Sequence, residues 1–206
     1  SVSFNKLNYT GIVTWRPTDD STVYGKISSG YVAGGILSGI PYKPETLVAY
    51  ELGAKTQMFD NRVRLNVAAF YSDYKDLQTQ NFINGRQFFD NAGKAKIKGF
   101  EVEADLVPVR GLVLSGNIGY ADLNYKTFIL NGVEVADVAR TTYNSKWTAR
   151  ASAQYDAPEF SNGSHLQARV EGRYRSSYYL TSTPFRNLTG QVVLENENKQ
   201  PGYRLV

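Results

Sequence analysis

The stretch Glu45–Tyr74 reads ETLVAYELGAKTQMFDNRVRLNVAAFYSDY, and its alternation decides the fold. In the first half, Val48, Tyr50, Leu52 and Ala54 share one face, and Ala49, Glu51, Gly53 and Lys55 share the other. After the turn Met58-Phe59-Asp60-Asn61, Val63, Leu65, Val67, Ala69 and Tyr71 are apolar, with Arg62, Arg64, Asn66 and Ser72 opposite. Successive side chains of a strand point to opposite faces, so the pattern predicts a hairpin with one apolar and one charged face. Each strand reaches or exceeds the roughly 9–11 tilted residues that cross a bilayer, whereas strands of soluble proteins average about 5–6 residues.

The remainder of the chain repeats this unit. Alternating segments run over Leu7–Trp15, Ser21–Tyr31, Ile97–Val107, Leu112–Tyr125, Lys146–Tyr155 and His165–Tyr178. Short connections at Pro17–Asp20, Met58–Asn61 and Pro108–Gly111, and a moderate one at Asp156–Ser164, alternate with long ones at Val32–Pro44, Lys75–Lys96, Lys126–Tyr143 and Tyr179–Gln200. In an up-and-down antiparallel barrel this puts every short turn at one rim and every long loop at the other, the transmembrane pattern. Asn84-Gly85 and Asn131-Gly132 are hairpin-turn signals inside two of the long connections, so pairing is expected to continue into the first of them. Aromatic residues such as Trp15, Tyr31, Tyr71, Tyr120, Trp147, Tyr155 and Tyr174 gather towards strand ends, where interfacial girdles form.

Composition agrees with this. Mean hydropathy is −0.38, and no run approaches the ~18 apolar residues of a membrane helix. A barrel strand gives only every second residue to lipid, so a low mean does not exclude a membrane. The chain has no cysteine, which removes disulfides and thiolate metal sites. The net charge of +4 is spread along strands rather than clustered, which argues against nucleic acid. Both ends read as cuts, as in a piece of a longer protein.

Three segments resemble the late barrel of TonB-dependent outer-membrane receptors. In the first, Pro44, Glu45, Tyr50, Glu51, Gly53, Lys55, Leu65, Asn66, Phe70, Tyr71, Tyr74 and Asp76 match the family pattern. NAGKAKIKGFEVEADLVPVRGLVLSGNIGY resembles the next hairpin through Asn91, Ala92, Gly93, Gly99, Glu101, Glu103, Gly119 and Tyr120, and SKWTARASAQY resembles the hairpin after it. The likeness implies an all-β, antiparallel up-and-down transmembrane barrel segment, about eight to nine strands of a barrel of about 22. Residues 1–206 would be part of a single barrel domain, with no plug domain present. It further implies a receptor of the Gram-negative cell outer membrane that imports a ferric siderophore or similar scarce nutrient with energy from the TonB system. The implied partners are outer-membrane lipid and lipopolysaccharide, a TonB-type energising protein acting through an N-terminal part absent from this chain, and the nutrient itself. Two alternatives share the alternation. One is a complete eight-stranded outer-membrane barrel with a structural or adhesive role, and the other is a soluble β-sheet binding module.

Enzymatic chemistry finds little footing. His165 is the only histidine and stands at a strand start, where a solvated rim residue is expected rather than a base. Glu101, Glu103 and Asp105 share a face and suit pairing with arginines of a water-lined lumen better than acid–base work. Asp19-Asp20 reads as a turn, not a calcium site. No cofactor and no metal are expected. The inward arginines Arg150, Arg169, Arg173 and Arg175 are the candidate ligand-binding residues, against the plainer expectation that a water-lined wall pairs its own charges.

Overall fold

A computed structural model describes residues 3–83, 86–130, 133–180, 185–186, 192–193 and 199–205. All regular structure among them is strand. The elements are β1 (Thr10–Thr18), β2 (Ser21–Val32), β3 (Gly35–Leu37), β4 (Ile40–Tyr42), β5 (Glu45–Met58), β6 (Val63–Ile83), β7 (Arg86–Val109) and β8 (Leu112–Leu130). They continue with β9 (Val133–Glu134), β10 (Trp147–Asp156), β11 (Gln167–Arg175), β12 (Tyr178–Tyr179), β13 (Phe185–Arg186), β14 (Val192–Val193), β15 (Lys199–Gln200) and β16 (Tyr203–Leu205). One sheet dominates, in the order β1-β2-β5-β6-β7-β8-β10-β11-β16, with β9 added to β8. Its ladders are all antiparallel, as the up-and-down reading requires. Among the described residues β1 pairs only with β2 and β16 only with β11, so the nine strands of this order form an open wall and do not close on themselves.

The register fixes the two faces. Tyr50 opposes Tyr71, Leu52 opposes Ala69 and Ala54 opposes Val67. Val67 opposes Val102, which opposes Ile118, which opposes Ala149, which opposes Tyr174. The apolar residues of successive strands therefore form one continuous outward face. Nothing in the described chain covers it: Val13 is 77 % exposed, Leu52 63 % and Val170 57 %. A soluble sheet would bury this face under a second layer. A barrel wall gives it to lipid instead. From Val63 to Tyr71 this band measures about 26 Å along the strand, or about 20 Å of height at a tilt of about 40°.

Several boundaries differ from the sequence expectation. The Lys75–Lys96 connection is mostly strand: β6 and β7 stay paired out to Ile83 opposite Arg86, well above the apolar band. The Asn84-Gly85 turn itself, like Asn131-Gly132 and most of Tyr179–Gln200, lies outside the described residues. Val32–Pro44 holds a small hairpin, β3–β4. The first strand runs over Thr10–Thr18 instead of Leu7–Trp15, so that its turn is Asp19-Asp20 alone and Pro17 sits within it. Proline lacks the N–H of a ladder, and Pro17 is accommodated at an irregularity between Trp15 and Thr18 on an edge strand. The eighth expected strand is β11, shorter at both ends than His165–Tyr178. Ser176 bonds back to Trp147, and the chain then leaves to pair Tyr178-Tyr179 with Lys199-Gln200. The turn at Phe59-Asp60-Asn61 is left-handed at all three residues, with φ of 56°, 55° and 64°.

Conventional core is scarce. Phe128 at 3 % exposure, Val135 at 5 % and Ala139 at 9 % form one small cluster, with Tyr125 against it. It packs the loop after β8 onto the long-loop end of the wall.

Candidate functional site

Alternation carries the charged side chains to the face opposite the apolar band, and the register decides which of them meet. Tyr24 donates to Glu51 at 2.6 Å. Arg64 binds Asp105 through Nε at 3.0 Å and a terminal nitrogen at 2.6 Å. Asn66 donates to Glu103 at 3.3 Å. The charged face thus pairs much of its own charge, as the plainer expectation had it.

Arg150 opposes Arg173 across β10 and β11, Ser152 opposes Glu171, and Gln154 opposes Arg169. Glu171 consequently sits among three of the four candidate arginines. It accepts from Arg173 at 2.6 Å, from Arg169 at 3.0 Å and also from Arg150. One carboxylate is shared by three guanidinium groups, with Glu103 beside them held, among the described residues, only by the neutral Asn66. A groove of about 280 Å³ lies beside it, lined by Glu103, Asp105, Arg150 and Arg169 among others. Arg175 is not part of this cluster. It donates to Ser145 Oγ at 2.6 Å and to the Tyr143 carbonyl at 3.1 Å, and lies 4.1 Å from the Tyr178 ring centre.

Arg175 instead leads to a second site at the long-loop rim. There a cavity of about 480 Å³ is lined by Arg140, Asn144, Lys146, Tyr178, Tyr179 and Lys199 with neighbouring residues. Arg140 and Lys199 approach the Tyr179 ring at 5.6 and 5.7 Å, and Tyr143 and Tyr178 pack with ring centres 6.1 Å apart. Arg140 Nε and Asn144 Nδ2 are buried with no acceptor among the described residues. Asp137 also lines it and Lys146 is paired with Asp122 at 2.7 Å, so Arg140 and Lys199, the tyrosine faces and two donors without a protein acceptor are what favour an anion there.

The loop that supplies Arg140 is held by Glu134. Its carboxylate accepts from the backbone N–H of Phe128 at 2.7 Å and of Ala136 at 2.9 Å. These bonds, Phe128 first, hold its carboxyl below the ordinary carboxylate value. The cluster of Phe128, Val135 and Ala139 anchors the same loop from beneath.

Neither Arg140 nor the Tyr178-Tyr179 pair stands out in the sequence. Arg140 lies in a loop without periodicity, and the tyrosines stand where the strand alternation ends. His165 is a rim residue just outside β11, 3.8 Å from Asp156. Among the described residues no group of three or more metal-ligating side chains is present.

Comparison with known proteins gives a consistent result. The family model of the TonB-dependent receptor-like β-barrel matches residues 1–206. The pesticin receptor of Yersinia enterocolitica is 31 % identical over 149 residues, covering 68 % of this chain and 22 % of that protein. The pesticin receptor of Yersinia pestis is 30 % identical over the same length and shares. Among solved structures, the ferric yersiniabactin uptake receptor FyuA from Yersinia pestis superposes with a TM-score of 0.70 at 22 % identity, over 95 % of this chain and 28 % of that one. BauA, the ferric preacinetobactin receptor from Acinetobacter baumannii, gives 0.68 at 18 % identity over 95 % and 28 %. The chain spans about a quarter of the length of these relatives. At such identities the two structures show the shared fold, an antiparallel barrel wall. The match of the family model over the whole chain places it: the chain belongs to the TonB-dependent receptor-like β-barrel family, transport receptors of the Gram-negative outer membrane.

Proposed function

We propose that this chain is part of the barrel domain of an outer-membrane receptor that captures a ferric siderophore or a similar anionic nutrient and imports it with TonB-derived energy. Residues 1–206 contribute a section of one barrel. Its apolar face meets outer-membrane lipid and its charged face lines the lumen. The TonB-type protein acts through parts of the receptor that lie beyond this chain. No covalent chemistry on the cargo is involved.

The observation that carries the proposal is the rim cavity. It lies at the long-loop end and joins Arg140, Lys146 and Lys199 to the faces of Tyr178 and Tyr179. Ferric catecholate and phenolate chelates commonly carry negative charge and flat aromatic groups, so cations and ring faces suit them together. Below it, Arg150, Arg169 and Arg173 around Glu171 continue the line of cations into the lumen, and Arg175 links the two sites. The names of FyuA and BauA as receptors for ferric siderophores support the same cargo class.

The test uses the full-length receptor in iron-starved cells given radiolabelled ferric catecholate, hydroxamate and phenolate chelates. One class should be taken up. For that class the double variant Arg140→Gln/Tyr179→Ala should weaken binding about tenfold or more, the worth of one charge-assisted contact with a ring face. Uptake of no chelate by the wild-type receptor overturns the proposal, and undiminished binding by the double variant removes this cavity from it.

A further inference from the structure

We propose that the turn closing the β10–β11 hairpin is a self-modifying site. Asn162 cyclises onto the nitrogen of Gly163 and converts to aspartate and isoaspartate, and Ser164 supplies hydrogen bonds that speed the reaction. The inference goes beyond the transport reading and does not depend on the cargo.

An asparagine amide is lost by attack of the next residue's backbone nitrogen on its own side-chain carbon. Glycine in that next position leaves the approach unhindered. Among the described residues Asn162 is the only asparagine followed by glycine. Asn162, Gly163 and Ser164 are all exposed, at the short-turn rim and beyond the apolar band, so water reaches them. Nothing packs tightly on Gly163: a Cβ there would find Glu159 Oε1 as its nearest atom, at 3.8 Å.

The turn also prepares the amide. The backbone N–H of Ser164 donates to Asn162 Oδ1 at 3.0 Å, and Ser164 Oγ donates to the same oxygen at 2.6 Å. A backbone N–H can only donate, so the atom it meets is the amide oxygen and the orientation of the Asn162 amide is fixed. Two donors thus converge on the atom where negative charge develops when Cγ is attacked, a small exposed counterpart of an oxyanion hole. Phe160 holds the turn in this shape, donating to the Ser164 carbonyl at 3.0 Å and accepting from the Gly163 N–H at 2.8 Å. The second of these bonds opens before the nitrogen attacks, and it is a single turn bond at an exposed tip, the class that opens most easily.

The steps balance without an oxidant or a cofactor. The Gly163 N–H gives its proton to water or hydroxide, and the nitrogen forms a bond to Asn162 Cγ. The Cγ–Nδ2 bond then breaks and Nδ2 leaves, protonated, as ammonia. One water opens the resulting succinimide at either carbonyl, giving aspartate or isoaspartate. Either product adds a negative charge near Glu159, and isoaspartate also lengthens the main chain inside the Phe160–Ser164 turn.

The test incubates the detergent-solubilised full-length receptor at physiological temperature and neutral pH and follows the tryptic peptide Ala151–Arg169, in which Asn162 is the only asparagine. Mass spectrometry with fragmentation that separates the isomers should show both aspartate and isoaspartate at position 162. Ser164→Ala should slow the conversion about threefold or more, the worth of one hydrogen bond to the reacting oxygen. Conversion at Asn131-Gly132 in the same samples serves as an internal clock and should not change. In concentrated urea the turn is lost, and the slowing by Ser164→Ala should disappear. An intact Asn162 in the incubated wild-type receptor, or aspartate without isoaspartate, overturns the inference. So does an unchanged rate in Ser164→Ala, or a slowing that persists in urea or appears equally at Asn131.

Discussion

Val67 and Asn66 are neighbours in the chain and face different solvents. Val67 lies on the apolar face in a row with Ala54 and Val102, near mid-height of the band. Asn66 faces the charged side and donates to Glu103. Val67→Arg should cost roughly 2–4 kcal/mol in unfolding from lipid vesicles, the value for a cation at the bilayer midplane. Asn66→Arg should cost much less, since Glu103 is there to receive it. Equal costs would mean that neither face is lipid. Glu171 poses a different residue-scale question, because three guanidiniums converge on it. Glu171→Gln leaves three like charges together, while Arg169→Ala leaves the carboxylate two partners. Urea midpoints should therefore fall further for Glu171→Gln, and the reverse order would show that the cluster is held by water rather than by its carboxylate. The inward direction of Arg150, Arg169 and Arg173 was legible from alternation. Their meeting at Glu171 was not, because it depends on the β10–β11 register, and a one-residue slip would have sent Arg169, Glu171 and Arg173 outward and left Arg150 without them.

At the scale of elements, glycines set how closely strands and rings approach. A Cβ on Gly99 would lie 2.0 Å from the Tyr120 carbonyl oxygen and 2.5 Å from the Phe70 ring, while one on Gly25 meets nothing within 4 Å. Gly99→Ala must shift backbone and should cost about 1–3 kcal/mol. Gly25→Ala should stay within about 0.5 kcal/mol. The temperature at which the folded band converts on an unboiled gel compares the two, and an equal shift would contradict this packing. The strands themselves were largely legible, because alternation fixes faces without knowledge of neighbours. Their upper ends were not. Beyond the apolar band the sequence of β6 after Tyr74 no longer alternates apolar with polar, although its pairing with β7 continues. The loop between β8 and β10 was illegible for a related reason: its order comes from Glu134 and a three-residue cluster, not from periodicity. Glu134 gives that loop a pH dependence. Its carboxyl is held below the ordinary value of 4.5 in the folded loop, so its contribution is fully present above that value and lost as pH falls through the folded one. Amide exchange at Phe128 and Ala136, taken relative to the intrinsic base-catalysed rate, should show constant protection near neutrality and accelerate relative to that rate only below the ordinary carboxylate value of 4.5. Glu134→Gln should remove that acceleration, and its persistence in the variant would assign it to another group.

For the whole molecule, one topological fact orders everything else: antiparallel neighbours force successive connections to opposite rims. The turns Asp19-Asp20, Phe59–Arg62 and Arg110-Gly111 are short and share one rim. The β3–β4 hairpin, the upper ends of β6–β8 and the Arg140 loop share the other. The proposed cargo site depends on which rim faces outward. The rim cavity captures cargo only if the long-loop rim is outside. Single cysteines in the full-length receptor can decide it, because this segment contains none of its own. Asp137 is exposed in the long-loop connection, and Asp60 is exposed in a short turn. In intact cells a membrane-impermeant maleimide should label Asp137→Cys and spare Asp60→Cys, and both should label after the outer membrane is permeabilised. The second arm matters, since a cysteine silent in both conditions is buried and says nothing of sidedness. Labelling of Asp60→Cys with protection of Asp137→Cys in intact cells would invert the wall. It would then remove the cargo cavity, which requires its cations on the outer side.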